Sequence, residues 1–320
     1  MLKVKLEKDY GFDETNKKYK GNFPTEDSWE TLYKVTEDVG VFKPGGTLSG
    51  DGEPLAYVVC DAYPDNQVRE CLTTITDTST MRANCSGPIL EEEMKAKGIA
   101  EYKLRTPNSY HVKTKSGKWG MIAYGNEIHS IMAGWKRGRF TGDIGLSGWA
   151  KENPDRFEVL KTICKTNEKA FMKADPKRCI AQKTFCETYI KDDHRMGMCT
   201  TLSPNRYSEK GIGSGQGMGF HIDAGDNDQG MTTMAHFREG DYTGGYLVFP
   251  RYKLAIEFPD NCVIIGDSLQ LHGVSPVYGE GTRYSCIAYC DRRLATEGEL
   301  GKTIKKIGKY SDAATLGEFL

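Results

Sequence analysis

In the second half of the chain, apolar positions either alternate with polar ones or gather in short runs between turn residues. Leu254, Ile256 and Phe258 alternate with polar or small neighbours, the period of a strand with one buried face. Val263-Ile-Ile265 is a short apolar run that stops at Gly266-Asp267, and Tyr284 to Tyr289 reads as a final strand. Gly244-Gly245 marks a turn into the apolar run ending at Pro250, and Pro259-Asp-Asn261 has turn chemistry. Short strands and Gly/Pro turns at this density predict a double-sheet jelly roll.

Upstream the pattern is mixed. Leu55 to Cys60 predicts a strand, and 109–113 with 121–124 predicts a hairpin. Pro88 to Lys97 predicts a helix, with acids early, lysines late and Gly98 beyond its end. Asn153 to Asp175 predicts a long helix with Phe157, Leu160, Ile163 and Phe171 on one stripe. Ile180 to Ile190 fits either a strand or a helix. Residues 1–50 are polar and Gly-rich, which predicts an irregular N-terminal arm. The fold class expected is α+β, a double-stranded β-helix (jelly roll) core braced by helices. With no internal repeat or linker, 51–320 is read as one domain, its barrel at 195–293.

Composition narrows the class little. The chain is 38% hydrophobic and 27% charged, ordinary for a soluble globular protein. No apolar run approaches the roughly 18 residues of a membrane span, and the charged N-terminus lacks the apolar core of a secretory signal. The ten cysteines form no C-x-x-C pair, and Cys60, Cys262 and Cys286 lie in apolar strands. Reduced, buried thiols and an intracellular setting are therefore expected. A net charge of −1 does not advertise nucleic-acid binding. Basic residues do gather locally beside aromatics: Lys113, Lys115 and Lys118 near Tyr110 and Trp119, and Lys136, Arg137 and Arg139 near Trp135 and Phe140. Such clusters can follow phosphates and stack an extruded base. Lys302, Lys305, Lys306 and Lys309 in the tail read as a solvated surface.

The chemistry concentrates between Gly219 and Arg293. His221-x-Asp223 suits a strand end, where side chains two apart share a face, and His272 begins a later strand. Two histidines and one carboxylate can hold one face of an octahedral Fe(II), leaving positions open for a cosubstrate and dioxygen. Zinc also accepts such donors, but Arg283 favours an oxygenase. Its guanidinium fork suits a carboxylate, and in Arg283-Tyr284-Ser285 the outer two residues share a face. His221, Asp223 and His272 are thus the expected metal-binding and catalytic residues. Arg283 and Ser285 are expected to hold the far carboxylate of 2-oxoglutarate. Asn205 and Arg206 are candidates for orienting cosubstrate or substrate, and His236 and Arg238 for the pocket wall or for plain packing.

These motifs resemble the Fe(II)/2-oxoglutarate dioxygenase superfamily, and within it the TET/JBP branch, which oxidises the methyl of 5-methylcytosine or thymine in DNA. The likeness lies in the metal core, in Met196 to Tyr207 with its Asn205, in Gly244-Gly245 followed by Leu247, Val248 and Pro250, and in Arg82 to Pro88. The resemblance implies a modified-base DNA partner, base flipping and, with DNA as substrate, a nuclear location. Asp226, three residues after Asp223, resembles an acid of the green-algal TET-like enzyme that helps bind ascorbate and serves glyceryl transfer to 5-methylcytosine. Ascorbate is therefore an alternative cosubstrate, although Asp226 also reads as a solvated acid in a turn. A hydroxylase of a protein side chain or small metabolite, and a non-catalytic reader of a modified base, remain alternatives.

Overall fold

A computed structural model describes residues 1–46, 52–78, 95, 98–99, 101–106, 109–113, 117, 119–123, 129–138, 142–208 and 217–296. The expected helix at 88–97 (Lys95 apart), the 82–88 element, Lys115, Lys118, Arg139, Phe140 and the lysine tail lie outside them.

Two sheets face each other. Numbered in chain order, the larger sheet runs β1 (Leu2–Lys5), β3 (Val39–Gly46), β4 (Gly52–Cys60), β17 (Cys262–Gly266), β13 (Thr232–Glu239), β20 (Thr282–Tyr289), β11 (Thr201–Ser208), β9 (Ala133–Arg137) and β10 (Ile144–Leu146), with β8 (His129–Ser130) also on β11. The smaller sheet runs β12 (Met218–His221), β18 (His272–Val274), β15 (Leu247–Phe249), β16 (Leu254–Glu257) and β2 (Thr31–Lys34). A two-stranded antiparallel ribbon pairs β14 (Tyr242–Gly244) with β19 (Val277–Gly279), and β5 (Tyr102–Thr106), β6 (Ser109–Lys113) and β7 (Trp119–Ala123) form a separate small sheet. This is the expected jelly roll, braced on one side by helices.

Strand alternation separates two cores. On β20, Tyr284, Cys286 and Ala288 face outward under α2 (Asp65–Thr78) and α4 (Pro154–Ala174), while Arg283, Ser285 and Ile287 face the other sheet. α4 buries Phe157, Leu160, Ile163 and Phe171, the stripe expected from the sequence. Its buried Asn167 donates to Thr233 Oγ1 at 3.0 Å and accepts from the Tyr63 hydroxyl, so helix, loop and sheet share one satisfied polar network. α3 (Gly148–Glu152) is a short lead-in capped by Ser147. The ambiguous 180–190 stretch is helical, within α5 (Pro176–Tyr189), which starts on an Asp175 cap with Pro176 at its first position.

The irregular-arm expectation for 1–50 is overturned. β1 pairs with β3, β3 with β4, and β2 adds in parallel to β16, so this segment extends both sheets. α1 (Phe12–Tyr19) lies outside the smaller sheet, where Tyr19 packs with Phe220, Val248, Ala255 and Leu271. β16 is consequently buried on both faces, Ala255 included, where alternation had suggested one. No described helix is long and apolar enough to cross a membrane.

Candidate metal centre

His221 ends β12 and His272 begins β18, and the two residues sit directly opposite in the antiparallel register. Their rings are 4.5 Å apart between centroids. Asp223 follows the strand end and points one carboxylate oxygen at each ring, 3.6 Å from His221 Nε2 and 3.6 Å from His272 Nε2. The three donor atoms lie within 4.8 Å of one another, the one such group among the described residues.

Both histidines are locked the same way. His221 Nδ1 lies 2.8 Å from the Gly219 carbonyl, and His272 Nδ1 lies 2.9 Å from the Gln270 carbonyl. A carbonyl only accepts, so each Nδ1 carries the proton and each Nε2 keeps its lone pair for the shared point. Burial, and then the His221 ring, hold the His272 imidazole below its ordinary value and therefore neutral. The Asp223 loop is fixed by its own N–H on the Ser268 carbonyl at 3.0 Å and by Asp226 N–H on the Asp223 carbonyl at 2.9 Å. Two imidazole nitrogens and a carboxylate on one side of an open cavity fit a divalent transition metal with free positions.

The cavity between the sheets is lined by the triad, Arg283, Ser285, Asn205, Tyr207, Thr232, Asp267, Ser268 and an apolar wall including Met218, Met234, Leu247, Ile264, Val274 and Ile287. Sheet register explains the polar set. Asn205, Ser285 and His236 stand side by side on β11, β20 and β13, and Tyr207, Arg283 and Arg238 form the next row on the same face. Arg283 is 1% exposed. It donates Nε–H to the Gly245 carbonyl at 3.1 Å and NH1 to Ser285 Oγ at 3.2 Å, with Tyr207 against its guanidinium. Among the described residues no carboxylate pairs with it.

The other candidates fall elsewhere. Asn205 lines the cavity; its Nδ2 donates to the Ser203 carbonyl at 3.0 Å, leaving Oδ1 buried without a partner among the described residues. Arg206 cannot join it, because the next residue on a strand faces away, and its guanidinium lies over Tyr284 outside the sheet. His236 sits below the wall, with Nδ1–H on the Pro259 carbonyl and Nε2 near the Tyr242 hydroxyl. Arg238 stacks on Tyr242 at 3.8 Å. Asp226 is buried, not solvated. Its carboxyl accepts from Ser268 Oγ at 2.8 Å and from Thr232 Oγ1, off the cavity wall. Burial, and then Asp223, push that carboxyl well above the usual range.

Tyr207, Thr232, Asp267 and Ser268 were missed by sequence reasoning; Tyr207 was available, being two residues beyond Asn205 on one strand. In the basic clusters, Arg137 spends its guanidinium on the carbonyls of Arg293, Gly142 and Ala295, and Lys113 pairs with Glu101 at 2.6 Å. Trp135 is packed against Phe157.

No family model matches the chain, and no curated protein matches it. Among solved structures it is similar to NgTET1 in complex with 5mC DNA, at 11% identity, covering 94% of this chain and 96% of that one, with a TM-score of 0.46. It is also similar to the viral collagen prolyl hydroxylase vCPH from Paramecium Bursaria Chlorella virus-1, at 15% identity, 76% and 98% coverage and TM-score 0.35. A third is an oxidoreductase of the 2OG-Fe(II) oxygenase family from Burkholderia pseudomallei, at 12% identity, 82% and 96% coverage and TM-score 0.38.

Proposed function

We propose that this chain is an Fe(II)-dependent dioxygenase that uses 2-oxoglutarate and oxidises the methyl group of 5-methylcytosine in DNA. One observation carries the cosubstrate reading: a fully buried guanidinium, without a carboxylate partner among the described residues, shares a cavity with a two-histidine, one-aspartate triad. Burying an unpaired charge costs roughly several kcal/mol, which an anionic ligand would offset. His221, Asp223 and His272 would hold the metal, which when bound supplies dioxygen activation and hydrogen abstraction.

The chain's own residues position and exclude. Arg283 and Ser285 present donors to a far carboxylate, and the Gly245 carbonyl holds the guanidinium in its plane. Met218, Leu247, Val274, Met234 and Ile287 keep water from the space between arginine and triad. The DNA substrate rests on the motif resemblance, and a nuclear location follows from that substrate. The catalytic domain, read from the sequence as 51–320, is proposed to extend back over the N-terminal strands, since they pair with its sheets.

Ascorbate is a second reading, favoured by Asn205. Its Oδ1, without a partner among the described residues, is an acceptor; ascorbate carries hydroxyl donors and the 2-oxoglutarate dianion has none. Nucleoside mass spectrometry of a 5-methylcytosine duplex, incubated with protein, Fe(II) and either compound alone, separates the readings. A hydroxymethyl product requiring 2-oxoglutarate supports the first, and a heavier adduct formed with ascorbate alone supports the second. No product with either removes the 5-methylcytosine assignment.

A further inference from the structure

Cys186 lies in the last turn of α5, and Cys290 follows directly after β20. Their sulfurs are 3.1 Å apart, inside van der Waals contact, although the residues are 104 positions apart in the chain. Both are buried and both are free thiols. Cys290 also borders the metal loop. Its carbonyl accepts Asn227 N–H at 2.9 Å, Arg292 N–H reaches the Gly225 carbonyl at 3.0 Å, and Asp226 pairs with Asp291 in an antiparallel bridge. The strip after β20 thus runs alongside the loop that begins at Asp223.

We propose that Cys186 and Cys290 are a redox-modification site that a peroxide closes to a disulfide, stapling α5 to the strip that supports the Asp223 loop. The step balances. Peroxide oxidises the Cys290 thiol to a sulfenic acid and releases one water. The Cys186 sulfur then attacks that sulfur, the S–S bond forms, the S–O bond breaks, and a second water leaves. Two thiol protons and two electrons pass to one peroxide. Cys290 is the first target because it keeps a trace of exposure, 2% against 0% for Cys186. The Cys186 hydrogen bond and burial hold its thiol well above the ordinary value. Closure is therefore slow at neutral pH and faster in mild alkali, where more thiolate forms. Cys164 pushes the neighbouring Cys199 thiol up, so these two buried thiols make a built-in comparison.

The test uses the full-length protein. It is exposed to hydrogen peroxide for increasing times, quenched with catalase, alkylated in denaturant and digested without reductant for mass spectrometry. The expected result is a linked peptide pair containing Cys186 and Cys290, two hydrogens lighter than its parts, appearing before any other cysteine link and sooner in alkali. The oxidised protein should melt several degrees higher, and Cys186→Ser should abolish that gain. A first link between Cys164 and Cys199 would overturn the proposal. So would over-oxidation of Cys290 without a link, or both thiols remaining alkylatable after other cysteines have reacted. The wild-type peptide map decides the matter even if the serine variant folds poorly.

Discussion

Arg283 and Gly245 are in contact through backbone and side chain at once. Gly245 accepts the guanidinium Nε–H at 3.1 Å, and a Cβ added to Gly245 would meet Arg283 Cδ at 2.8 Å. Gly245 also has φ +67°, a region that side chains resist. Gly245→Ala should displace the guanidinium and strain the turn by about 1–3 kcal/mol. The expected outcome is a tenfold or greater loss of 2-oxoglutarate affinity, with metal affinity unchanged, read by calorimetric titration of the Mn(II)-loaded protein. Unchanged affinity would remove Arg283 from cosubstrate binding.

Metal binding is expected to stabilise the fold. At a hundredfold excess over its dissociation constant, a ligand specific to the folded state adds about 2.7 kcal/mol. Added Fe(II), Mn(II) or Zn(II) should raise the melting temperature of the wild type, a chelator should reverse it, and His272→Ala should show neither effect. A variant that still responds would place the metal elsewhere.

His236 predicts a pH dependence. Burial, and then the Arg283 charge, hold its imidazole well below the ordinary 6.5. As pH falls below 6.5, the unfolded chain takes up a proton that the folded one refuses, so stability declines with falling pH. One such proton corresponds to about 1.4 kcal/mol per pH unit, down to the folded value. In metal-free protein His272 acts in the same direction. His236→Asn keeps a donor for the Pro259 carbonyl and removes the titration. Urea unfolding at stepped pH should show a slope one proton smaller for this variant.

Asn167 tests the brace between helix and barrel. Its side chain serves Tyr63 and Thr233 within a buried layer. Asn167→Ala strands the Tyr63 hydroxyl, while Thr233 keeps its bond to the Ala288 carbonyl at 3.1 Å, and should cost about 1–3 kcal/mol, the cost of one abandoned buried polar group. Chemical denaturation measures this, and a change under 1 kcal/mol would mean water substitutes for the amide.

The candidate site was legible where chemistry and strand period coincide. His221 and Asp223, and Arg283 and Ser285, are each two apart on extended chain, so one face collects both. The helix at 154–174 was legible because its buried stripe is apolar. α5 was not, because its buried face includes Cys179, Gln182 and Cys186, which do not register as an apolar stripe. Gln182 is there to bond Met231 N–H and the Met198 carbonyl. The roles of 1–50 were hidden for a different reason. β1 and β2 are edge strands with mostly exposed residues, so their pairing with distant partners leaves little alternation. Asp226 misled because Asp-Asn-Asp has turn composition, while its burial comes from Thr232 and Ser268.

The N-terminal segment makes the smallest working unit larger than the barrel. α1 and β2 cover the outer face and free edge of the very sheet that presents both histidines, and Gly21 N–H and the Asn22 carbonyl bond the backbone of Phe220, one residue before His221. A fragment beginning after residue 50 would keep all three donors in its sequence. It would also bare Phe220, Val248, Ala255 and Leu271 to water and unpin the strand that ends in His221. Such a fragment would be sticky and metal-poor, and a protease cut near the start of the chain would silence the centre without touching a single residue of it.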